Sequence, residues 1–139
     1  MKELIEKLLN NIKSEIIQSQ YDKGMVTTGE SAASLQVTVS QFSGELSGSK
    51  SFIFQEFGRG PGKFPPMDNI IKWVEAKGLE GTTVRGLAYV IARKIAREGT
   101  RIFRDKSLGI PIETIIKENI DRFVAELQEQ EFKKLKTML

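Results

Sequence analysis

The stretch EFGRGPGKFPPMDN, Glu56 to Asn69, sets Gly58, Gly60 and Gly62 at alternate positions beside Arg59 and Lys63. Glycine-rich turns between a strand and a helix bind phosphate through backbone N–H groups, and a lysine in the turn adds its charge. The spacing here argues against that chemistry. A P-loop carries a glycine five positions before its Gly-Lys pair and Ser or Thr after it, whereas Phe57 and Phe64 stand at those positions. Pro65 and Pro66 remove N–H donors where a helix would open toward the phosphate. The dinucleotide pattern G-x-G-x-x-G fails as well, because the glycines are evenly spaced and no βαβ unit follows.

The second candidate chemistry is electrostatic. Between Arg85 and Lys106 stand seven basic residues (Arg85, Arg93, Lys94, Arg97, Arg101, Arg104, Lys106) against two acidic ones, Glu98 and Asp105, a net of +5 in a chain whose total is +3. Arg93, Arg97 and Arg101 recur every four residues and share a helix face as far as Gly99 lets a helix continue. Two readings stand for that face: a solvated surface opposite Ile91 and Ile95, or a phosphate-facing one that holds DNA without reading its sequence. No recognition helix, zinc finger or stacking-aromatic pattern points to sequence-specific binding.

Most catalytic designs are closed to the chain. It contains no Cys and no His, hence no disulfide frame, thiol nucleophile, imidazole base or ordinary zinc site. Its 18 acidic residues are scattered among lysines and arginines, as solvated helix faces are. The expectation is a protein that is not an enzyme and holds neither cofactor nor metal. MKELIEKLLNNIKSEII mixes charge with apolar residues throughout, so it is neither a signal-peptide core nor a membrane span. A soluble protein kept in a reducing cytoplasm, with no membrane contact, is expected.

At 139 residues the chain fits one domain, 1–139. Leu4, Ile5, Leu8, Leu9, Ile12, Ile16 and Ile17 recur at three- and four-residue spacings and predict an amphipathic helix over 2–22, stopped by Gly24. From about 25 to 57 the residues turn to Ser, Thr, Gly and β-branched types. Leu35, Val37 and Val39 alternate with Gln36, Thr38 and Ser40, and SFIFQEF (Ser51–Phe57) reads as a further strand, giving an antiparallel meander of about three strands. After the loop 58–66, a helical part over 67–137 contains three helices: Met67 to Lys77, Thr83 to Glu98, and Pro111 to Lys136. The fold class is α+β. Spacing places Trp73 in the core with Ile70 and Val74, and Phe52 and Phe54 on the inward face of their strand with Ile53 on the other. Ile112, Ile115, Ile116, Ile120, Phe123, Val124 and Leu127 form a stripe that must lie on a neighbour. The charged stretch Gln128 to Leu139 frays or reaches a partner.

With that order in place, FQEFGRGPGKFPPMDNIIKWVEAKG followed by RGLAYVIARKIAREGT resembles the tail-completion or neck (head–tail joining) proteins of tailed bacteriophages. Gly29 to Leu35 (GESAASL) is a loose counterpart of that family's first motif. Glu56-Phe57-Gly58 matches its aromatic-glycine motif, and Pro61, Pro65 and Pro66 supply its proline loop; the likeness covers about residues 29 to 101. The long charged C-terminal helix departs from the pattern. The resemblance implies a virion structural protein, assembled in the host bacterial cytoplasm. As such a protein, it forms a homo-oligomeric ring around the DNA channel and links the portal or adaptor side to the tail tube, with non-specific contact to phage DNA.

For the loop two readings remain. It is a tight, stiff connection, or it presents Arg59, Lys63 and Phe64, with Phe57 and Ile53 beside them, as a preorganised contact to another subunit. In the ring reading Arg93, Arg97 and Arg101 face the DNA channel. The alternative from another class is a small basic nucleic-acid-binding module using Arg85 to Lys106.

Overall fold

The computed structural model describes residues 1–25, 29–78 and 83–139; of the expected sheet region, 26–28 lie outside the described residues. The chain is α+β. Its elements are α1 (Lys2–Asp22), α2 (Glu30–Ser34), β1 (Gln36–Val39), β2 (Gly44–Ser47), α3 (Ser51–Phe57), α4 (Met67–Ala76), α5 (Thr83–Glu98), α6 (Arg101–Arg104), a 3-10 turn at Lys106–Leu108 and α7 (Ile112–Met138).

β1 and β2 form an antiparallel hairpin in which Val37 stands opposite Leu46 and Val39 opposite Gly44. One face of the hairpin lies on α1. A Cβ at Gly44 would come within 2.6 Å of Ile5 and 2.7 Å of Leu9, so β2 rests directly on the helix. The strand alternation read at Leu35–Ser40 holds, with Val37 and Val39 half-buried and Gln36 and Thr38 exposed.

The expected third strand, SFIFQEF, is a helix, and tertiary partners explain why. Phe52 is buried in the core, and the residues one turn on, Gln55 and Glu56, share its face. Gln55 Oε1 accepts from the buried Gln20 side chain at 2.7 Å, and the Gln55 carbonyl accepts from Ile110 N at 2.9 Å. Glu56 Oε2 accepts from Glu113 N at 3.0 Å, placing a carboxylate at the N-terminus of α7. Only a helical period brings 52, 55 and 56 to one side. Phe54, expected to face inward beside Phe52, is therefore 44 % exposed.

Burial is divided between two clusters. Ile12 and Ile16 of α1, Leu35, Phe52, Ile110 and Ile115 form the first, with Leu8, Leu9, Leu46 and Ile112 packed around it. Each such side chain contributes about 1.5–3 kcal/mol on leaving water. The second joins α4 to α5 through Val74, Val84 and Ala88, flanked by Met67, Ile70, Ile71 and Ile91. The small residues Ala88 and Ala92 are fully buried and let α4 approach closely. Trp73, expected in this core, is 45 % exposed, and its neighbour Val74 takes the buried position.

Helices α1 and α7 pack together through Ile12, Ile16 and Ile115, with a polar group at mid-length. The buried Asn119 donates to Glu15 Oε2 and to the Ile115 carbonyl, while Arg122 Nη2 reaches Glu15 Oε1 at 3.1 Å. Chiefly the Asn119 hydrogen bond, with help from Arg122, holds the Glu15 carboxyl below its usual range. The stripe read along α7 divides. Ile112 and Ile115 join the core, whereas Ile116, Ile120 and Val124 remain exposed, and from Gln128 onward every residue is exposed although the helix continues to Met138. Among the described residues no helix is long and apolar enough to cross a membrane.

Candidate functional site

The glycine loop closes the gap between the two clusters. Arg59 N donates to Thr100 Oγ1 at 2.9 Å, Thr100 N donates to the Arg59 carbonyl at 2.9 Å, and Gly62 N donates to the Ala96 carbonyl at 2.8 Å. The loop is thus stapled across the end of α5. Thr100 also caps α6, accepting from Phe103 N at 3.3 Å.

Two glycines owe their place to Phe103. Gly58 has φ +76° and a Cβ there would lie 2.2 Å from Phe103 N; Gly99 has φ +79° and its Cβ would lie 2.8 Å from the Phe103 ring. The loop donors Arg59 N and Gly62 N are engaged within the chain, so they are not aimed at a phosphate. Glycine here serves close chain packing.

What the loop and its neighbours present outward is aromatic surface with cations on it. The Arg59 guanidinium lies 5.5 Å from the Phe54 ring, Lys106 Nζ lies 4.3 Å from Phe103, and Lys77 Nζ lies 5.4 Å from Trp73. Lys106 also donates to the Phe57 carbonyl at 2.7 Å. The Phe64 ring leans on Tyr89 of α5 with centroids 5.9 Å apart. Aromatic residues and arginine are the types enriched at protein–protein contacts.

The residues expected to form one contact fall into three places. Ile53 and Phe57 share an outward face of α3 at i and i+4, both at least half exposed. Arg59 lies over Phe54, and Phe54 lines a groove of about 970 Å3 whose walls also include Trp73, Lys77 and Arg101. Phe64 belongs with Tyr89 of α5, and Lys63 is exposed in the loop.

The basic face also divides. Arg93 and Arg97 line one shallow groove on α5 with Tyr89 and Lys94. Arg101 does not share it, because α5 ends at Glu98, Gly99 turns the chain, and Arg101 opens α6 beside the other groove. Arg104 is paired with Glu98 at 3.7 Å. Ser107, through its hydroxyl and backbone N–H, holds the exposed Asp105 carboxyl below its usual range as part of the 3-10 turn. Among the described residues no group of three or more acidic side chains gathers as a metal site would require.

Phe103 and Tyr89 had no signal in the sequence. Each acquires its role from a partner far along the chain: Tyr89 from Phe64, and Phe103 from Gly58. No family model, curated protein or solved structure matches this chain.

Proposed function

We propose that the chain is a virion structural protein of the head–tail junction in a tailed bacteriophage, working as a homo-oligomeric ring around the DNA channel and joining the portal side to the tail. The observation that carries the assembly part is its surface. A compact monomer of 15.6 kDa exposes about 7,250 Å2, but this chain exposes 9,891 Å2. Large apolar side chains stand on that surface, among them Ile53, Phe57, Phe64, Trp73 and Val90, as in proteins that other chains cover. The likeness of residues 29 to 101 to neck proteins supports the place of assembly.

In this reading Ile53 and Phe57 meet a neighbouring subunit, and Arg59, Lys63 and Phe64 form the rim of the contact. Arg93 and Arg97 face the channel, where they hold DNA by phosphate contacts alone. The experiment is quantitative mass spectrometry of purified particles of the source phage. A fixed multiple-copy presence is expected. Its absence from particles that carry the remaining tail parts would overturn the reading.

The grouping of Arg93, Lys94 and Arg97 with Tyr89 in one groove favours a second reading, a small basic nucleic-acid-binding module. It requires retention on single- or double-stranded DNA that falls steeply with salt and weakens when Arg93 and Arg97 are neutralised.

A further inference from the structure

Helix α7 outruns the body that supports it. Its last half-buried residue is Leu127, yet the helix continues to Met138 with every residue from Gln128 exposed. A helical segment of this length without tertiary contact is marginal in water. Its apolar side chains are not scattered. Val124, Phe132, Leu135, Met138 and Leu139 fall within about 120° of arc at 3.6 residues per turn, and the last four are 60 %, 57 %, 81 % and 106 % exposed.

The charge on this segment is blocked. Residues 123–131 carry Glu126, Glu129 and Glu131 with no basic residue, and 132–139 carry Lys133, Lys134 and Lys136 with no acidic one. A parallel second copy would set acidic block beside acidic block and basic beside basic. An antiparallel copy superposes opposite signs and opposes the two helix dipoles.

We infer that the α7 overhang is a two-fold docking surface for a second copy of this chain, paired antiparallel about an axis near Phe132. At that register the apolar arc of each helix faces the other. Glu129 comes level with the partner's Lys136 on one flank of the seam, and Glu131, which like Gln128 lies inside the apolar arc, comes level with the partner's Lys134 on the other side. These contacts replace the exposed pairs each chain makes within itself, Glu129 to Lys133 at 3.4 Å and Glu131 to Lys134 at 3.5 Å. A two-fold contact is self-complementary and closes at two copies, so it is separate from the contacts that would close a ring. The inference stands whether or not the protein belongs to a virion.

The test is sedimentation equilibrium of the full chain over a range of concentration. A monomer–dimer equilibrium is expected, with the dissociation constant raised at least about tenfold by Leu135→Asp. Helix content by circular dichroism checks that this exposed substitution leaves the fold intact. The more basic variant Glu129→Lys/Glu131→Lys and the more acidic variant Lys134→Glu/Lys136→Glu should each be monomeric and should dimerise when mixed.

Because the chain has no cysteine, a single introduced thiol reports orientation. Phe132→Cys should oxidise to a covalent dimer while Leu139→Cys should not. A strictly monomeric wild type, a dimer indifferent to Leu135→Asp, or equal cross-linking of both thiols would overturn the inference. A dimer that dissociates with Phe57→Asp and not with Leu135→Asp would assign association to the α3 surface instead.

Discussion

Gly58 and Gly86 differ in what surrounds them, although the sequence writes both as glycine beside arginine. Gly58 combines φ +76° with a Cβ direction that points into the Phe103 backbone, while a Cβ at Gly86, exposed in the first turn of α5, meets nothing within 4 Å. Gly58→Ala is expected to cost at least about 2 kcal/mol, from left-handed backbone and displacement of α6. Gly86→Ala should stabilise by about 0.5–1 kcal/mol through helix propensity. Urea unfolding measures both, and equal effects would contradict the packing at Phe103. Glu15 supplies a pH dependence. Its carboxyl is held below the usual range by Asn119 and then Arg122, so the charged form favours the fold. That contribution is present above the ordinary carboxylate range and is lost as pH falls through the depressed value. Glu15→Gln should therefore flatten the acid limb of the melting temperature against pH, with the two proteins converging at low pH. Parallel acid limbs would show that Glu15 does not couple α1 to α7.

At the scale of elements, α4 shows how one residue of phase decides what is core. Met67, Ile70, Ile71 and Val74 recur at three- and four-residue spacings and face α5, and Trp73 lies about 100° round the helix from Val74. Its indole stands at the groove wall with Lys77 beside it. Val74→Ala is expected to cost about 2 kcal/mol, and Trp73→Ala less than about 1. The single tryptophan also reports directly: its fluorescence should be red-shifted and open to quenching by iodide in the native protein. A blue-shifted, protected emission would place it under a cover, and in the assembled state that is the expected change if the groove is an interface. Helix α3 makes the complementary point. Its alternating apolar text, SFIFQEF, suits a strand locally, but Gln20, Ile110 and Glu113 each hold a residue on one helical face.

For the whole molecule, the division of the core into two clusters explains the large surface. Neither cluster is thick enough to bury both faces of its helices, so Ile116, Ile120 and Val124 of α7 and Leu87 and Val90 of α5 remain outside. Proteins that complete their cores only on association have this distribution. Phe57→Asp tests it without touching the interior, since Phe57 is half exposed and its contact with Lys106 is through the backbone carbonyl. The monomer should keep its unfolding free energy within about 0.5 kcal/mol, and under the proposed junction role infectious particle assembly should be lost. Normal assembly by Phe57→Asp together with Arg59→Glu would remove this surface from the ring contact.

The sequence by itself determined the class and most element bounds: the three- and four-residue periodicity of α1 and α5, the alternation around Val37, and the loop 58–66 are local patterns written in adjacent residues. It also determined that the chain lacks thiol and imidazole, because that follows from residue types alone. Tertiary structure decided what depends on partners distant in sequence. It made SFIFQEF a helix, since the residues that engage Gln55 and Glu56 lie on α1 and around the start of α7. It turned Trp73 outward, since periodicity gives the width of an apolar face but the partner helix fixes its centre. It parted Arg101 from Arg93 and Arg97, since the close approach of Phe103 to Gly99 ends one helix and starts another. And it left the end of α7 bare, since how far a helix outruns its neighbour depends on where that neighbour stops.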